Sequence, residues 1–105
     1  MDLVRFDTAN AAPLEGGANA VFLPVQKGDR LIGMVVHLDR KGDTGKREVG
    51  NDVMLVVLSG EGRIRSGGEI ADLRPGDVCV LPGGIRHQLW TADSKLEVVM
   101  VTVGV

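Results

Sequence analysis

The chain has 105 residues and a formal net charge of −2, with its acidic and basic residues dispersed along it. That is enough for one domain with a modest core, and it argues against nucleic acid or an anionic membrane as the partner. A single cysteine, Cys79, excludes an internal disulfide framework, and a chain with no tyrosine, two phenylalanines and one tryptophan is poorly supplied for a carbohydrate site built on aromatic platforms.

The fifteen glycines recur between short apolar runs, a pattern that predicts many short strands joined by tight turns, hence an all-β fold. Residues 3–6 are a short apolar run expected as an edge strand. Small residues make 9–19 a loop, and 20–25 form a strand whose end is weakened by Pro24. Residues 31–39 predict a longer strand rich in β-branched side chains. The polar segment 40–52 carries three glycines and mixed charges and is expected as a loop. Residues 53–58 are almost wholly apolar and are expected to be buried on both faces. Strands then follow at 63–66, 69–73 and 78–81, with a return strand opening at His87 and a last strand at 95–103; glycines mark every turn between them except the one before the last strand. There is no amphipathic helix of useful length and no internal repeat. No apolar run reaches the length of a membrane span, and the N-terminus lacks a signal-peptide pattern, so the expected location is cytoplasmic.

Residues 76–91 read GDVCVLPGGIRHQLWT. The apolar run 78–81 closes on Pro82, which cannot donate to a ladder. Gly84 then supplies the positive φ of a tight turn, and His87 opens a returning strand. Gly76, Pro82, Gly84 and His87 carry the spacing G-x5-P-x-G-x2-H-x3-N, so this stretch resembles the second motif of the cupin family, with Thr91 where that family usually has Asn. The resemblance covers 31–103. It implies a single-domain, double-stranded β-helix or jelly-roll barrel with a cavity between its sheets, preceded by N-terminal strands and a loop over 1–30.

In metal-binding cupins, the first motif, G-x5-H-x-H-x(3,4)-E-x6-G, supplies two His and a Glu, and the second motif a third His. If Gly60 closes that motif here, Val53 stands at the Glu position. The His positions fall at Lys46 and Glu48, or at Arg47 and Val49. The chain has only two histidines, His37 and His87, so the His-x-His pair is missing in either register. One imidazole does not hold a transition metal against water, and catalytic sites use about three protein ligands. The expectation is therefore no bound metal cofactor. An atypical divalent site would need His87 with Glu48 or Asp52, and His37 reaching in from an earlier strand.

The candidate ligand-binding residues are His87, Glu48, Lys46, Asp52, Leu89 and Thr91. Lys46 and Glu48 either point into the barrel or form a solvated loop, and Asp52 either faces the cavity or bonds its own backbone. Strand alternation puts His87, Leu89 and Thr91 on one face and Gln88 and Trp90 on the other. Cys79 reads as a small core hydrophobe, with nucleophilic use requiring His87 as its base. The resemblance implies a homodimer, which would cover apolar strand faces that a small barrel leaves open. Function is expected to be binding of a small molecule in the barrel, or a structural or regulatory role. A metal-dependent dioxygenase or isomerase is one alternative. A metal-independent isomerase is another, with His87 as base and Lys46 or Arg86 steadying an anion.

Overall fold

Short apolar runs between glycines become strands in a computed structural model that describes residues 3–27 and 30–103. A 3-10 turn (Thr8–Asn10) precedes β1 (Ala12–Pro13), β2 (Ala18–Lys27), β3 (Leu31–Asp43), β4 (Val53–Gly60) and β5 (Gly62–Ser66). They are followed by β6 (Glu69–Leu73), β7 (Val78–Leu81), β8 (His87–Trp90) and β9 (Leu96–Val103). Among the described residues there is no α-helix and no helix long and apolar enough to cross a membrane. The strands pair in the order β6-β5-β8-β3-β9-β4-β7, with β2 also on β3 and β1 on β2. The sheet curls upon itself, as an all-β jelly roll requires.

The curl is set by β3, which changes partner along its length. Its first half, Leu31 to Leu38, pairs with β9, whereas its far end pairs with β8 through Asp43 and Trp90. Between these halves β3 breaks register against β2: Ala20 opposes Leu38, yet Ala18 opposes Asp43. The extra residues form a bulged corner, with Lys41 at a φ of 56°. Such bulges bend a strand and re-aim its side chains. Thr91 holds this corner. Its hydroxyl donates to the Asp39 carbonyl at 2.6 Å and accepts the Gly42 amide at 2.8 Å, and its own amide donates to the Gly42 carbonyl.

Inside the curl lies one apolar core. Leu38, Leu55, Leu89, Leu96, Val36, Val57 and Val98 are its most completely buried side chains. Burying each large aliphatic side chain stabilises the fold by roughly 1.5–3 kcal/mol. The β4–β9 and β3–β9 registers put all of these but Leu89 on the same side of neighbouring strands, and Leu89 joins them from β8 opposite Ile64.

Three local expectations are corrected. Residues 3–6 form no strand; Phe6 instead stacks on His37, with ring centroids 5.8 Å apart. The polar segment expected to begin at residue 40 starts later, because pairing with β2 and β8 carries β3 to Asp43 despite its charges and glycine. Tertiary pairing here overrides local propensity. And β4 is buried on one face only: Val53, Leu55 and Val57 face the core, while Met54 and Leu58 are exposed. Gly84 has the expected positive φ, 77°.

Thr91→Val keeps the shape of the side chain but strands a buried amide and a carbonyl at the corner. It is expected to cost about 1–3 kcal/mol, read from urea unfolding. Thr102→Val, which removes an exposed bond to the Asp52 carbonyl, should cost less. Equal losses would show that the corner does not depend on Thr91.

Candidate functional site

The two end strands of the sheet, β6 and β7, do not pair with each other. Between them opens a cavity of about 450 Å³, within the range of organic ligand sites. Ile64, Ala71, Leu81 and Ile85 give it apolar walls, and Ser66, Glu69 and Cys79 contribute its polar atoms. The registers explain this lining. Ile64 opposes Leu89 across β5 and β8 and Ala71 across β5 and β6, whereas Leu81 opposes Val53 and Cys79 opposes Leu55. Leu89, Val53 and Leu55 are core residues, so their partners share the inward face.

His87 is buried on this inward face together with Leu89 and Thr91, while Gln88 and Trp90 are half-buried on the other. On one side His87 opposes Ser66. On the other it exchanges reciprocal backbone bonds with Arg47, at 2.8 and 2.9 Å. That bridge resolves the two registers. Residues paired across an antiparallel bridge present side chains to the same face, so Arg47 is on the side of His87 and Lys46 and Glu48 on the opposite side. Both of the latter are exposed, whereas Val49, which follows Arg47 on the inward side, packs against the core.

The positions that would face a metal beside His87 are thus Arg47, Val49 and Val53. A guanidinium cannot be a ligand, because it stays protonated, and it repels a cation; valine offers no donor. The Arg47 guanidinium is tied to the backbone carbonyls of Thr44, at 3.0 Å, and Glu15. His37 cannot complete a site with His87. It lies on the outer face, opposite Val21 and Glu97, stacked on Phe6. Its Nδ1 is 3.9 Å from Glu97 Oε1, too far for a hydrogen bond. Among the described residues no group of three or more His, Cys, Asp or Glu side chains could hold a metal. The donor set does not fit a divalent ion.

Of the other sequence candidates, Leu89 is core and Thr91 is consumed at the corner. Asp52 accepts the Gly83 amide at 2.8 Å and so fixes the turn before His87. Lys46 lines a small recess on the outer side of β5 and β8. The structure therefore does not gather Glu48, Asp52, Leu89 and Thr91 around one ligand. The residues that do line the barrel mouth lie on β5, β6, the turn between them, β7 and the segment that follows it, and only strand alternation signals them in sequence.

Burial, and then the charge of Arg47, hold the His87 imidazole below its usual 6.5; the Ile85 carbonyl pulls weakly the other way. His87 is therefore a neutral hydrogen-bonding group at neutral pH. Burial, reinforced by Asp77, raises the Cys79 thiol above its usual value, which leaves it protonated and disfavours nucleophilic use.

Because the folded-state value of His87 lies below the unfolded one, its contribution is fully present above pH 6.5 and is lost as pH falls through the folded value. Stability should therefore fall as pH drops below 6.5 through the folded value, and His87→Gln should flatten that slope in thermal melts. An unchanged slope would show that His87 is not held neutral by the fold.

A family model described as Cupin domain matches residues 34–104. No match is found among curated proteins. Several solved structures share the fold. A Cupin 2 conserved barrel domain protein from Salinispora arenicola CNS-205 is 20% identical, with a TM-score of 0.80 over 97% of this chain and 87% of that one. KdgF from a Halomonas species is 20% identical, with a TM-score of 0.79 over 91% of this chain and 86% of that one. The polyketide cyclase RemF from Streptomyces resistomycificus is 15% identical, with a TM-score of 0.80 over 96% and 79%.

Proposed function

This chain belongs to the cupin family, and from that premise we propose that it binds a small apolar organic molecule in its barrel mouth without a resident metal, as a cytoplasmic protein. The observation that carries this reading is the composition of the inward face. Beside a neutral His87 stand Arg47, Val49 and Val53 rather than ligands, while the 450 Å³ cavity has apolar walls. Hydrophobic contact supplies most of the affinity in such a pocket, and a few polar groups orient the ligand. Ser66 and Glu69 line the cavity and are the groups placed to do so, with His87 behind Ser66 in register.

A second reading, metal-independent proton transfer, draws on the depressed His87 value. In it the cation next to the base is Arg47 rather than Lys46 or Arg86, since Arg47 shares the inward face.

Elemental analysis of protein purified without a metal-binding tag, paired with melts in the presence and absence of chelator, tests the metal-free reading. Sub-stoichiometric metal and an unchanged melt are expected. One metal per chain with a chelator-sensitive melt would overturn it. Cys79 tests the cavity itself, because it lines the mouth and is the only cysteine. Its modification by a maleimide should slow when an apolar probe such as 1-hexanol is present, and an unaffected rate would reject the mouth as the binding site.

A second copy of the chain is proposed as the partner. Val78 and Val80 on β7 are 60% and 62% exposed, and Met54 and Leu58 on β4 are 45% and 49% exposed. Met54 opposes Val80, and Val56 opposes Val78, so these side chains form one apolar outer face beside a free strand edge. An edge and an adjoining apolar face are self-complementary across a twofold axis. Light scattering on a sizing column should give a dimer for the native protein and a monomer for Val80→Lys. A native protein that stays monomeric as its concentration is raised would reject the partner.

A further inference from the structure

We propose that the outer side of the β5–β8 wall carries an anion site that takes the phosphate group of a small molecule, separate from the barrel mouth. Its placement follows from register. Arg65 opposes Gln88 across β5 and β8. The reciprocal bonds between Arg47 and His87 then put Lys46 beside Gln88 on the same outer side. One row of the wall therefore runs Arg65, Gln88, Lys46. In the next row the Gly67 amide donates to the Arg86 carbonyl at 3.0 Å, which sets Gly67 next to Arg86. Gly67 has no side chain to fill the space between the rows, and its φ of 58° disfavours one.

The result is a recess of about 190 Å³ lined by Lys46, Arg65, Arg86, Gln88, Gly67 and His87. It is smaller than the roughly 300 Å³ at which whole-ligand pockets begin, so it suits a charged group rather than an entire organic molecule. Three cations line it and no carboxylate does. Among the described residues the arginine paired with a carboxylate is Arg63, with Asp72, and none of these cations is so paired. Arg65 is held over the Trp90 ring, 5.9 Å from its centroid, which limits the ordering needed on binding. Two carboxylates stand nearby. Asp43 is engaged by the Gln88 amide at 2.9 Å to each oxygen. Glu48, next in register to Arg86, is exposed and does not line the recess. Three cations without an ion-pair partner among the described residues share this recess and repel one another, and a bound dianion relieves that repulsion.

Orthophosphate titrated against sodium chloride of equal ionic strength, with thermal unfolding as the readout, tests the site. A ligand that binds only the folded state raises the melting temperature in a concentration-dependent way. The native protein should show this rise with phosphate and not with chloride. In the double variant Lys46→Glu, Arg86→Glu, the apparent affinity should fall at least about tenfold, while Glu48→Gln should leave it unchanged or tighter. If the double variant fails to fold, Arg86→Gln serves in its place with a smaller loss. No phosphate-specific rise, or an equal rise in the native and substituted proteins, overturns the proposal. Hexyl phosphate separates the two sources of the group. If its Arg86-dependent binding also slows Cys79 modification, the ligand is an organic phosphate whose body crosses Gly67, which lines both spaces. If Cys79 is unaffected, the site takes a free anion. This result is read independently of the 1-hexanol experiment, so either proposal can fail alone.

Discussion

A pair of hydrogen bonds from one threonine hydroxyl fixes the point at which the sheet turns. β3 serves two walls, pairing with β9 along one stretch and with β8 at its far end. A strand that changes walls must leave regular pairing for a few residues, and the backbone groups freed there need partners because the corner is partly buried. Thr91 supplies two of them, accepting from Gly42 and donating to Asp39, while the Asn19 side-chain amide serves the Arg40 and Lys41 carbonyls and the Ala92 carbonyl accepts the Lys41 amide. The rest of the molecule is arranged around that turn. The core lies inside it, the His87 strand begins one side of it, and the cavity opens at the free edges it leaves.

The same geometry determines what the barrel can do chemically. Residues 44–49 run alongside β8 after the corner, and the reciprocal bonds between Arg47 and His87 fix their phase. That phase sends a guanidinium and a valine inward and Lys46 and Glu48 outward. Electrostatics follow from it: a cation near a buried imidazole favours the neutral ring, and the outward lysine joins Arg65 and Arg86 on the opposite surface. A one-residue change of phase would exchange the two faces and place a carboxylate beside His87 instead.

Much of the fold was legible in sequence because short apolar runs and glycine turns act locally. The second motif placed Gly84 at positive φ and His87 at the start of β8, and alternation sorted His87, Leu89 and Thr91 from Gln88 and Trp90. The failures share a cause. Residues 40–43 look like loop because their charges and glycine disfavour a strand, but partners distant in sequence hold them extended. The all-apolar run of β4 cannot reveal which face is covered, since Met54 and Leu55 are equally hydrophobic and only tertiary packing distinguishes them. The site was harder still. Missing histidines could be counted directly, but whether Lys46 or Arg47 faces His87 depends on a single bridge between remote segments. Glu48 and Asp52 lie close to a motif in sequence, and neither is brought into the cavity.

The strands flanking the mouth, β6 and β7, are neighbours in sequence and lie at the two ends of the sheet. They are joined by the turn over 74–77. There the Asp77 side chain accepts the Arg74 amide at 2.8 Å, and Gly76 and Asp77 bond the backbone of Val57. The slit is thus bridged at both ends. The turn closes one, and residues 82–86 cross the other, where the Arg86 carbonyl accepts the Gly67 amide at 3.0 Å. Between these fastenings β6 and β7 share no ladder, so a ligand that enters between them has no strand pair to break.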